Sequence, residues 1–448
     1  MYKLFDYQQK LVNQARKEIA SGHRGVLIVS PPGSGKSVII AEIARLTIGK
    51  GGQVMFFVHR RELIDQITKS FKQQDVDLHH CTIMTVRKIA NRLGKLPKPN
   101  LIICDESHHS KAKTYQKIFD YYSDVPRLGF TGSPWRMNGQ GFADIYSAMI
   151  QGPTVKWLIE HHKLAPFCYY SVPLFDQNKL KKSSTGDYTV ASMTEASQPT
   201  LYGDIIKTWL DKAKGKRTIV YAHDTKHSQQ IAQAFRNVGV KAQHCDSKTP
   251  SEQRKTIMND FRTGKITVLC NYGLVDEGYD VKECECCVIA RPTESLVFNI
   301  QSTMRCMRYL PNKVGIIIDH AGNYKHFGLP DAQREWTLED RKKKKGNGGG
   351  QLGPPVRTCE KCFAVIPVQS RSCPICGAEI EVTKTELDID RDVNLDDVTQ
   401  FKPFAASYIV TKRPSELKTR QDLENYAKAK GYKPGWVYYQ LKKRGLAH

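Results

Sequence analysis

A short loop between two apolar runs constrains the fold of this chain most strongly. The loop, Ser30-Pro31-Pro32-Gly33-Ser34-Gly35-Lys36-Ser37, follows Val26–Val29 and precedes Val38–Ala41. A strand, a turn of small residues and a helix in this order let backbone N–H groups and the helix N-terminus surround a phosphate. In such a loop the lysine reaches the β- and γ-phosphates, and the serine after it binds Mg²⁺. We therefore predict a nucleotide site here, although Ser30 stands where the general pattern has its first glycine.

Two carboxylates follow a second informative strand. The apolar run Leu101–Cys104 leads into Asp105-Glu106-Ser107-His108. A carboxylate at a strand end binds Mg²⁺ directly or through water. The neighbouring Glu106 is placed to accept a proton from an attacking water. Because acidic turns after strands are common, the prediction of Asp105 as a magnesium ligand and Glu106 as a general base depends on the preceding phosphate loop.

Strand-like and helix-like patterns alternate in two long segments of the 448-residue chain. The candidate strands are Val26–Ser30, Val54–Val58, Leu101–Cys104 and Leu128–Phe130, then Thr218–Tyr221, Val268–Cys270, Cys287–Ala290 and Gly315–Asp319. This alternation favours parallel sheets covered by helices, an α/β fold class. We predict α/β domains at 1–165 and 201–340, a hinge or insertion at 166–200, a basic glycine-rich linker at 341–355, a cysteine module at 356–382, an acidic linker at 383–401 and a basic helical module at 402–448.

Four of the 13 cysteines have the spacing of metal ligands. Cys359 and Cys362 form one CxxC pair, and Cys373 and Cys376 form another, with ten residues between the pairs. Four thiolates in this pattern favour a tetrahedral structural Zn²⁺ site in a small ribbon. An iron–sulfur cluster and a redox thiol group remain alternatives. The cysteines within Cys284–Cys287 lead into an apolar strand pattern, and we interpret them as buried structure.

The balance of charge favours a polyanionic partner. The chain has 68 lysines and arginines against 45 acidic residues, a formal net charge of +23. Such an excess favours nucleic acid. In the C-terminal module, helical patterns at Arg420–Lys430 and Val437–Arg444 lie among basic residues. Their aromatics, Tyr432, Trp436 and Tyr438-Tyr439, either stack on bases or form a small core of their own.

Other features concern the compartment in which the chain acts. No run of 18 uncharged apolar residues occurs, and the N-terminal residues lack the apolar segment of a signal peptide. The odd number of cysteines and their scattered positions argue against a disulfide framework. We therefore expect an intracellular, cytoplasmic protein without a membrane partner.

The order of these elements resembles that of the superfamily 2 helicases in their DExH form. The phosphate loop and Asp105-Glu106-Ser107-His108 resemble motifs I and II of that superfamily. The other matching elements are Leu4–Gln8 (the upstream tyrosine–glutamine element), Phe57–Leu63 (motif Ia), Thr82–Thr85 (Ib), Thr131–Arg136 (III), Thr218–His223 (IV), Asn271–Asp280 (V) and Gln301–Arg308 (VI). Within the superfamily, residues 291–323 and the cysteine module that follows are most similar to RadD-type bacterial DNA repair helicases. A bacterial or bacteriophage source is therefore expected.

The resemblance implies two tandem RecA-like domains that bind ATP and Mg²⁺ between them. The residues it places at the nucleotide, besides the phosphate loop, are Gln8 at adenine, Asp105, Glu106, Gly278, Asp280, Gln301, Arg305 and Arg308. His108, Thr131 and Ser133 would couple this cleft to the strand-binding surface. Contacts to the nucleic-acid backbone would come from Arg60, Arg61, Thr85 and His223. One departure is Met304, which stands where motif VI usually has a glycine.

Four functions fit these patterns. The first is an ATP-dependent helicase or translocase that acts on single-stranded or branched DNA in repair, recombination or replication. The others are a remodeller of branched DNA or protein–DNA complexes without processive unwinding, an RNA helicase, and a zinc-ribbon adaptor with a nucleotide switch. The ribbon or the C-terminal module would then also be a site for a protein partner. No cluster of nuclease residues suggests a restriction subunit.

Overall fold

The computed structural model describes residues 1–59, 62–135, 139–172, 174–184, 186–197, 201–274, 281–340 and 355–380, together with 417, 420–430, 432 and 435–443. The strands in chain order up to residue 160 are β1 (Gly25–Val29), β2 (Val54–Val58), β3 (Cys81–Thr85), β4 (Leu101–Cys104), β5 (Arg127–Thr131) and β6 (Ala148–Gln151). The helices of this part are α1 (Asp6–Ala20), α2 (Lys36–Ile48), α3 (Glu62–Gln73), α4 (Val86–Ala90), α5 (Lys113–Tyr121) and α6 (Val155–Glu160).

The second part of the chain repeats the pattern. Its strands are β7 (Phe167–Ser171), β8 (Thr218–Ala222), β9 (Ala242–Asp246), β10 (Val268–Tyr272), β11 (Cys286–Ala290) and β12 (Gly315–Asp319). Its helices are α7 (Val190–Ala196), α8 (Leu201–Lys212), α9 (Thr225–Asn237), α10 (Ser251–Thr263), α11 (Leu296–Thr303) and α12 (Tyr324–Phe327). The cysteine module adds β13 (Val356–Thr358) and β14 (Val365–Pro367), and the C-terminal module adds α13 (Arg420–Lys430) and α14 (Gly435–Lys443).

Two six-stranded parallel sheets confirm the predicted pair of α/β domains. The first sheet has the order β3-β2-β4-β5-β1-β6, and the second has the order β7-β12-β11-β8-β10-β9. Strands such as β1, β2 and β8 are buried along their whole length, because helices cover both faces of a parallel sheet. The carboxyl ends of all strands in one sheet meet at one edge, which gathers the loops that follow them. We call the two sheets with their helices the first and second lobes.

The segment 166–200 differs from the predicted hinge or insertion. Its first strand, β7, pairs with β12 and completes the second sheet. Farther along, the Asp187 carboxylate accepts hydrogen bonds from Arg291 (2.9 Å), from the Thr293 hydroxyl (3.0 Å) and from the backbone N–H of Glu294 (2.8 Å). The described part of this segment therefore belongs structurally to the second lobe.

The end of the predicted second domain returns to the first lobe. The Leu338 carbonyl accepts hydrogen bonds from the backbone N–H groups of Phe142 (2.6 Å) and Ala143 (3.0 Å). The Trp336 ring meets the Trp135 ring edge to face, with centroids 4.9 Å apart. Residues 336–340 thus connect the lobes by noncovalent contacts beside the element that resembles motif III.

The residues from Glu381 onward form a compact unit of their own. Within it α13 and α14 pack through Leu423, Val437 and Leu441, and the Tyr426 and Trp436 rings stack with centroids 5.6 Å apart. Tyr438 and Tyr439 are exposed on α14. The aromatics therefore divide between the core of this unit and its surface. In the described parts of the chain, no helix is both long enough and apolar enough to cross a bilayer.

Candidate active site

The phosphate loop connects β1 to α2 in a conformation that depends on two glycines. Gly33 and Gly35 have φ values of 90° and 82°, which residues with a Cβ rarely adopt. The Ser30 hydroxyl donates to the Ser34 hydroxyl at 2.7 Å and closes the loop from inside. This bond gives a physical reason for the serine at the first position of the motif. Ser37 follows in the first turn of α2.

Lys36 and the two carboxylates lie close together although they come from different strands. The Lys36 ammonium donates to the Ser30 carbonyl at 3.2 Å. Burial lowers the pKa of Lys36, while the nearby charges of Glu106 and Asp105 oppose that shift. Burial raises the pKa of Asp105 to about 6, and the Glu106 charge adds to this effect. One lysine therefore faces two carboxylates in a partly buried site.

The side chains around Lys36 offer the oxygen ligands that a magnesium ion prefers. A second positive charge beside Asp105 and Glu106 would offset the cost of burying two adjacent carboxylates. The available donors are the Ser37 hydroxyl and the Asp105 carboxylate, and Mg²⁺ prefers oxygen ligands. Asp105 Oδ1 also accepts the backbone N–H of Glu106 at 2.9 Å, which fixes the carboxylate at the end of β4.

Arginine side chains of the second lobe reach the phosphate loop of the first. A Cβ atom built on Gly33 would overlap the Arg308 guanidinium. The charges of Arg308 and Arg305 also lower the pKa of Lys36, so both guanidiniums lie within electrostatic range of its ammonium. The predicted loop and the predicted arginines therefore border one crevice, and Gly33 is required for their close approach as well as for its backbone angle.

Backbone contacts with Leu164 and Ala165 hold the segment that carries the arginines. Arg308 forms an antiparallel bridge with Leu164, and the backbone N–H of Ala165 donates to the Met307 carbonyl at 2.8 Å. Met304 ends α11 with φ −79° and ψ 0° and is buried in the core of the second lobe. A glycine is not required at these angles, so the departure from the motif fits the loop.

Lys313 supports the arginine segment, although no sequence pattern indicates it. Its ammonium donates to the Arg308 carbonyl at 2.9 Å and to the Lys282 carbonyl at 2.7 Å. Lys313 is only 9% exposed, and burial lowers its pKa. A lysine between a turn and a strand has no pattern that distinguishes it from a solvated one, so only the structure shows that it supports the arginine segment.

Replacement of Lys313 with methionine should therefore slow ATP hydrolysis more than it weakens ATP binding. We expect kcat to fall at least about tenfold, because small misplacements of a catalytic group are costly. The loss of two buried hydrogen bonds should also destabilise the fold by about 1–3 kcal/mol. Steady-state kinetics, nucleotide affinity and thermal unfolding measure the three quantities. Lys216→Met, which removes an exposed ion pair with Glu285 in the same lobe, is the control. A folded Lys313→Met variant with normal kcat would contradict this role.

Gln8, the residue predicted to contact adenine, forms hydrogen bonds to other residues of the chain. The Gln8 side chain accepts the backbone N–H of Phe5 at 3.0 Å and donates to the Ser34 carbonyl at 3.3 Å. The Tyr7 hydroxyl donates to the same carbonyl at 2.7 Å. Gln8 is 3% exposed, so its amide supports the phosphate loop in this arrangement. For the Gln8 amide to contact a base directly, its hydrogen bonds to Phe5 and Ser34 would have to break.

The element predicted to couple the cleft lies against the phosphate loop. Thr131 ends β5, and its hydroxyl donates to the Ser133 carbonyl at 2.8 Å. A Cβ atom on Gly132 would lie 3.2 Å from Pro32 Cδ. Ser133 Oγ is buried and makes no hydrogen bond to the residues that the structure describes. The turn after β5 thus packs directly on the loop after β1.

Comparisons with known proteins decide the family. Residues 1–136 match the family described as type III restriction enzyme, res subunit, and residues 201–310 match the helicase conserved C-terminal domain. A Lactococcus phage (isolate 7-9) protein, named only as a 51.5 kDa protein, is 48% identical over 358 residues, which cover 80% of this chain and 78% of that protein. The chain belongs to the ATP-hydrolysing helicases of superfamily 2.

Other members and structures extend the comparison. The Saccharomyces cerevisiae protein IRC3, whose name assigns it as an ATP-dependent helicase, is 27% identical over 68% of this helicase chain. The chain spans 49% of the length of that relative. A fragment of an HsdR subunit of a type I restriction enzyme from Vibrio vulnificus YJ016 has a TM-score of 0.56 at 18% identity, covering 70% of this chain and 64% of the fragment. The DNA-bound type ISP restriction-modification enzyme LlaBIII has a TM-score of 0.54 at 16% identity, covering 71% of this chain and 28% of that enzyme. The structural likenesses show a shared fold.

The helicase residues predicted to contact nucleic acid are only partly described. Thr85 ends β3 at the carboxyl edge of the first sheet and is half-buried. His223 follows β8 but is 3% exposed, because Thr194 of α7 lies 3.3 Å from its Nε2 and the Phe175 ring meets the imidazole in an edge-to-face arrangement. His223 is therefore buried in this arrangement, and its contact with a nucleic-acid strand stays a prediction.

For the remaining predicted residues, the structure gives the position and few contacts. Gln301 lies on α11 and is 8% exposed. His108 lies beside Glu106, with Nδ1 3.4 Å from Glu106 Oε2. Arg60, Arg61, Gly278 and Asp280 lie outside the described residues, so their proposed contacts stay predictions.

The four predicted metal-binding cysteines of this helicase come together. The sulfur atoms of Cys359, Cys362, Cys373 and Cys376 all lie within 4.8 Å of one another, with 3.6 Å between Cys362 and Cys373. Four sulfurs around one Zn²⁺ at ~2.3 Å would be separated by about 3.8 Å in a tetrahedron. The donor set and the spacing therefore fit a structural zinc ion. No other cluster of this kind occurs among the described residues.

The two CxxC turns share the same backbone geometry. The N–H of Phe363 donates to the Cys359 carbonyl, and the N–H of Gly377 donates to the Cys373 carbonyl, both at 2.8 Å. Phe363 and Gly377 both have left-handed φ angles, 61° and 70°. Two matched turns direct their sulfurs to one point, which is the arrangement that a tetrahedral ion needs.

The cysteine module packs on the second lobe. Ala364 bridges Tyr170 of β7, the N–H of Ser171 donates to the Phe363 carbonyl at 2.9 Å, and the Tyr324 and Thr358 hydroxyls lie 2.8 Å apart. The module therefore covers an edge strand that would otherwise present unpaired backbone groups.

Cys362→Ser should remove zinc and destabilise the second lobe. We expect one zinc per chain in the parent protein and little in the variant, since three thiolates bind zinc far less well than four. The melting temperature should fall by at least about 3 °C, because loosening the module exposes the edge of β7. Metal analysis and calorimetry measure these effects. Cys168→Ser, which changes a neighbouring thiol outside the four, should leave both unchanged. Full zinc content in Cys362→Ser would contradict the assignment.

Proposed function

We propose that this chain is an ATP-dependent DNA helicase or translocase. ATP would bind between two RecA-like lobes, and its hydrolysis would drive movement of the protein on DNA or unwinding of the duplex. The observation that carries the proposal is the approach of Arg308 from the second lobe to Gly33 of the phosphate loop. A site completed by both lobes makes nucleotide state and lobe separation interdependent.

The residues of the cleft suit phosphoryl transfer. Lys36 and the N–H groups of the loop would bind the β- and γ-phosphates, and Ser37 and Asp105 would hold Mg²⁺. When bound, Mg²⁺ neutralises charge on the phosphate oxygens. Glu106 would accept the proton of the attacking water at its carboxylate. Arg305 and Arg308 would stabilise the charge that spreads over the γ-phosphate oxygens in the transition state.

DNA is the proposed partner for reasons of charge and similarity. The net charge of +23 favours a polyanion. The restriction-modification enzyme LlaBIII, which shares the fold, is described as bound to DNA. DNA with single-stranded or branched character, and a role in repair, recombination or replication, follow from the likeness of residues 291–323 to RadD-type helicases. The arginine approach to Gly33 argues against a nucleotide switch without turnover.

Comparison of ATP turnover on different nucleic acids tests the proposal. The rate should be measured with single-stranded, duplex and forked DNA and with RNA, alongside displacement of a labelled strand. We expect the largest stimulation with single-stranded or forked DNA. Stimulation without strand displacement would favour the remodeller, and stimulation by RNA alone would favour an RNA helicase. Turnover unaffected by any nucleic acid would overturn the proposed function.

The C-terminal unit offers a second test of DNA binding. Residues 402–448 contain eleven lysines and arginines against three acidic residues, and Glu381–His448 form a separate compact unit. Removal of 381–448 should weaken single-stranded DNA binding and reduce the slope of log affinity against log salt by about 0.7 for each lost phosphate contact. Fluorescence anisotropy between low and moderate salt measures this slope. An unchanged slope would assign the unit to protein contacts instead.

A further inference from the structure

Three histidine rings form a continuous contact from the surface of the first lobe to the proposed general base. The His59 ring stacks on the His109 ring with centroids 4.9 Å apart and planes inclined by 25°. The His109 ring lies against the His108 ring at 4.2 Å. His108 Nδ1 lies 3.4 Å from Glu106 Oε2. Each step is a direct side-chain contact.

The register of the sheet explains why these residues meet. Strands β2 and β4 are neighbours, and Phe57 pairs with Cys104. The residues two positions later, His59 and Glu106, therefore leave the same edge of the sheet side by side. The short turn Ser107–His109 then brings His108 and His109 back toward β2. The Ser107 hydroxyl anchors that turn by donating to the Cys104 carbonyl at 2.9 Å.

The two ends of this contact differ in exposure. His59 is exposed, whereas His108 and His109 are partly buried and Glu106 Oε2 has almost no accessible surface. Glu106 itself has a left-handed backbone, with φ 50° and ψ 51°, and the turn after it starts with the His109 N–H bond to the Glu106 carbonyl at 3.0 Å. A displacement of His109 thus acts on Glu106 through both the rings and the backbone.

We propose that His59 and His109 are positioning residues that transmit the presence of a nucleic-acid strand to Glu106 through His108. This inference rests on the proposed function, because it requires a strand at the carboxyl edge of the first sheet. A strand that presses on His59 shifts the His109 ring, which changes the direction of the His108 ring and of the Glu106 carboxylate. Neither His59 nor His109 contacts the nucleotide in this scheme.

Coupling between two sites is reciprocal, which supplies two independent readouts. If the stacked rings carry the coupling, DNA raises ATP turnover and a bound ATP analogue changes DNA affinity by way of the same contacts. Loss of the rings should reduce both effects together. A merely structural role would instead change stability or basal turnover.

The experiment compares His59→Ala and His109→Ala with the parent full-length chain. Basal ATP turnover should stay within about twofold of the parent, while turnover with saturating oligo-dT should fall at least about fivefold. The change in oligo-dT affinity caused by a non-hydrolysable ATP analogue, measured by anisotropy, should shrink by a similar factor. His80→Ala, an exposed histidine of the same lobe paired with Asp77, should behave like the parent.

A further variant tests whether stacking itself carries the coupling. His59→Phe keeps an aromatic ring on His109 and should retain at least about half of the stimulation. Loss of stimulation in His59→Phe would overturn the stacking route. Parent-like stimulation and nucleotide-dependent affinity in both alanine variants, or an equal fall of basal and stimulated turnover, would overturn the inference while leaving the proposed function intact. A parent chain that no nucleic acid stimulates would instead overturn the proposed function.

Discussion

Arg308→Ala should lose about 10³–10⁵-fold in kcat while it binds ATP almost normally. The guanidinium lies against Gly33 of the phosphate loop, where the γ-phosphate of a bound nucleotide would carry the charge that develops in the transition state. An interaction that strengthens only as this charge spreads contributes to kcat far more than to ground-state binding. Because the guanidinium interacts more weakly with the ground state, ATP affinity should fall by no more than about tenfold.

Single-turnover kinetics and equilibrium binding of a fluorescent ATP analogue separate these quantities. Arg308→Lys should recover only part of the rate, because an ammonium lacks the planar fork of the guanidinium. Arg217→Ala is the matched control, since it removes an arginine of the second lobe that donates to the Arg262 carbonyl on the surface. A kcat within about tenfold of the parent in Arg308→Ala would remove Arg308 from its proposed role.

Glu106→Gln should trap the enzyme with ATP bound, with kcat lower by about 10²–10⁴-fold. The amide keeps the shape of the side chain but cannot accept the proton of the attacking water. It also removes a negative charge next to Asp105, whose pKa Glu106 helps to raise. With that charge gone, the pKa of Asp105 should fall, its carboxylate should stay ionised to lower pH, and affinity for Mg²⁺ and ATP should be equal or higher.

Rapid mixing with radiolabelled ATP measures the hydrolysis step of Glu106→Gln directly. Asp124→Asn removes an exposed carboxylate of the first lobe that pairs with Lys98 at 2.6 Å, and it should leave hydrolysis unchanged. Lys36→Ala supplies the opposite comparison, because loss of the buried ammonium should abolish binding as well as turnover. Normal hydrolysis by Glu106→Gln would assign the base to another group.

The strands that carry the phosphate loop and the carboxylates could be predicted because they are continuous apolar runs. Such runs are typical of strands buried on both faces of a parallel sheet. The prediction missed β3, β6, β7 and β9, which lie at or near sheet edges and include polar or half-exposed residues. An edge strand such as Cys81–Thr85, half-buried throughout, has no apolar run that distinguishes it from a loop.

The nucleotide cleft was predictable to the extent that its residues belong to local motifs. The structure brings Lys36, Asp105, Glu106, Arg305 and Arg308 to one crevice, as expected, and their catalytic roles stay predictions. The bond from Lys313 to Lys282, which fixes the lysine beneath Arg308, joins residues 31 positions apart, and the burial of His223 under α7 joins residues 29 positions apart. No local pattern encodes such contacts, and the same limit explains why the packing of the cysteine module on β7 was not foreseen.

If both lobes hold one nucleotide jointly, trapping of ADP with aluminium fluoride should require residues of both. This planar analogue of the transferred phosphoryl group needs the loop of the first lobe and the arginines of the second at once. Fluorescent ADP should bind the parent and Arg308→Ala equally well when aluminium fluoride is absent. With aluminium fluoride present, ADP should leave the parent slowly, whereas it should leave Arg308→Ala as fast as ADP alone does. Equally slow release from both proteins would show that Arg308 takes no part in the site and would contradict joint binding of the nucleotide through this arginine.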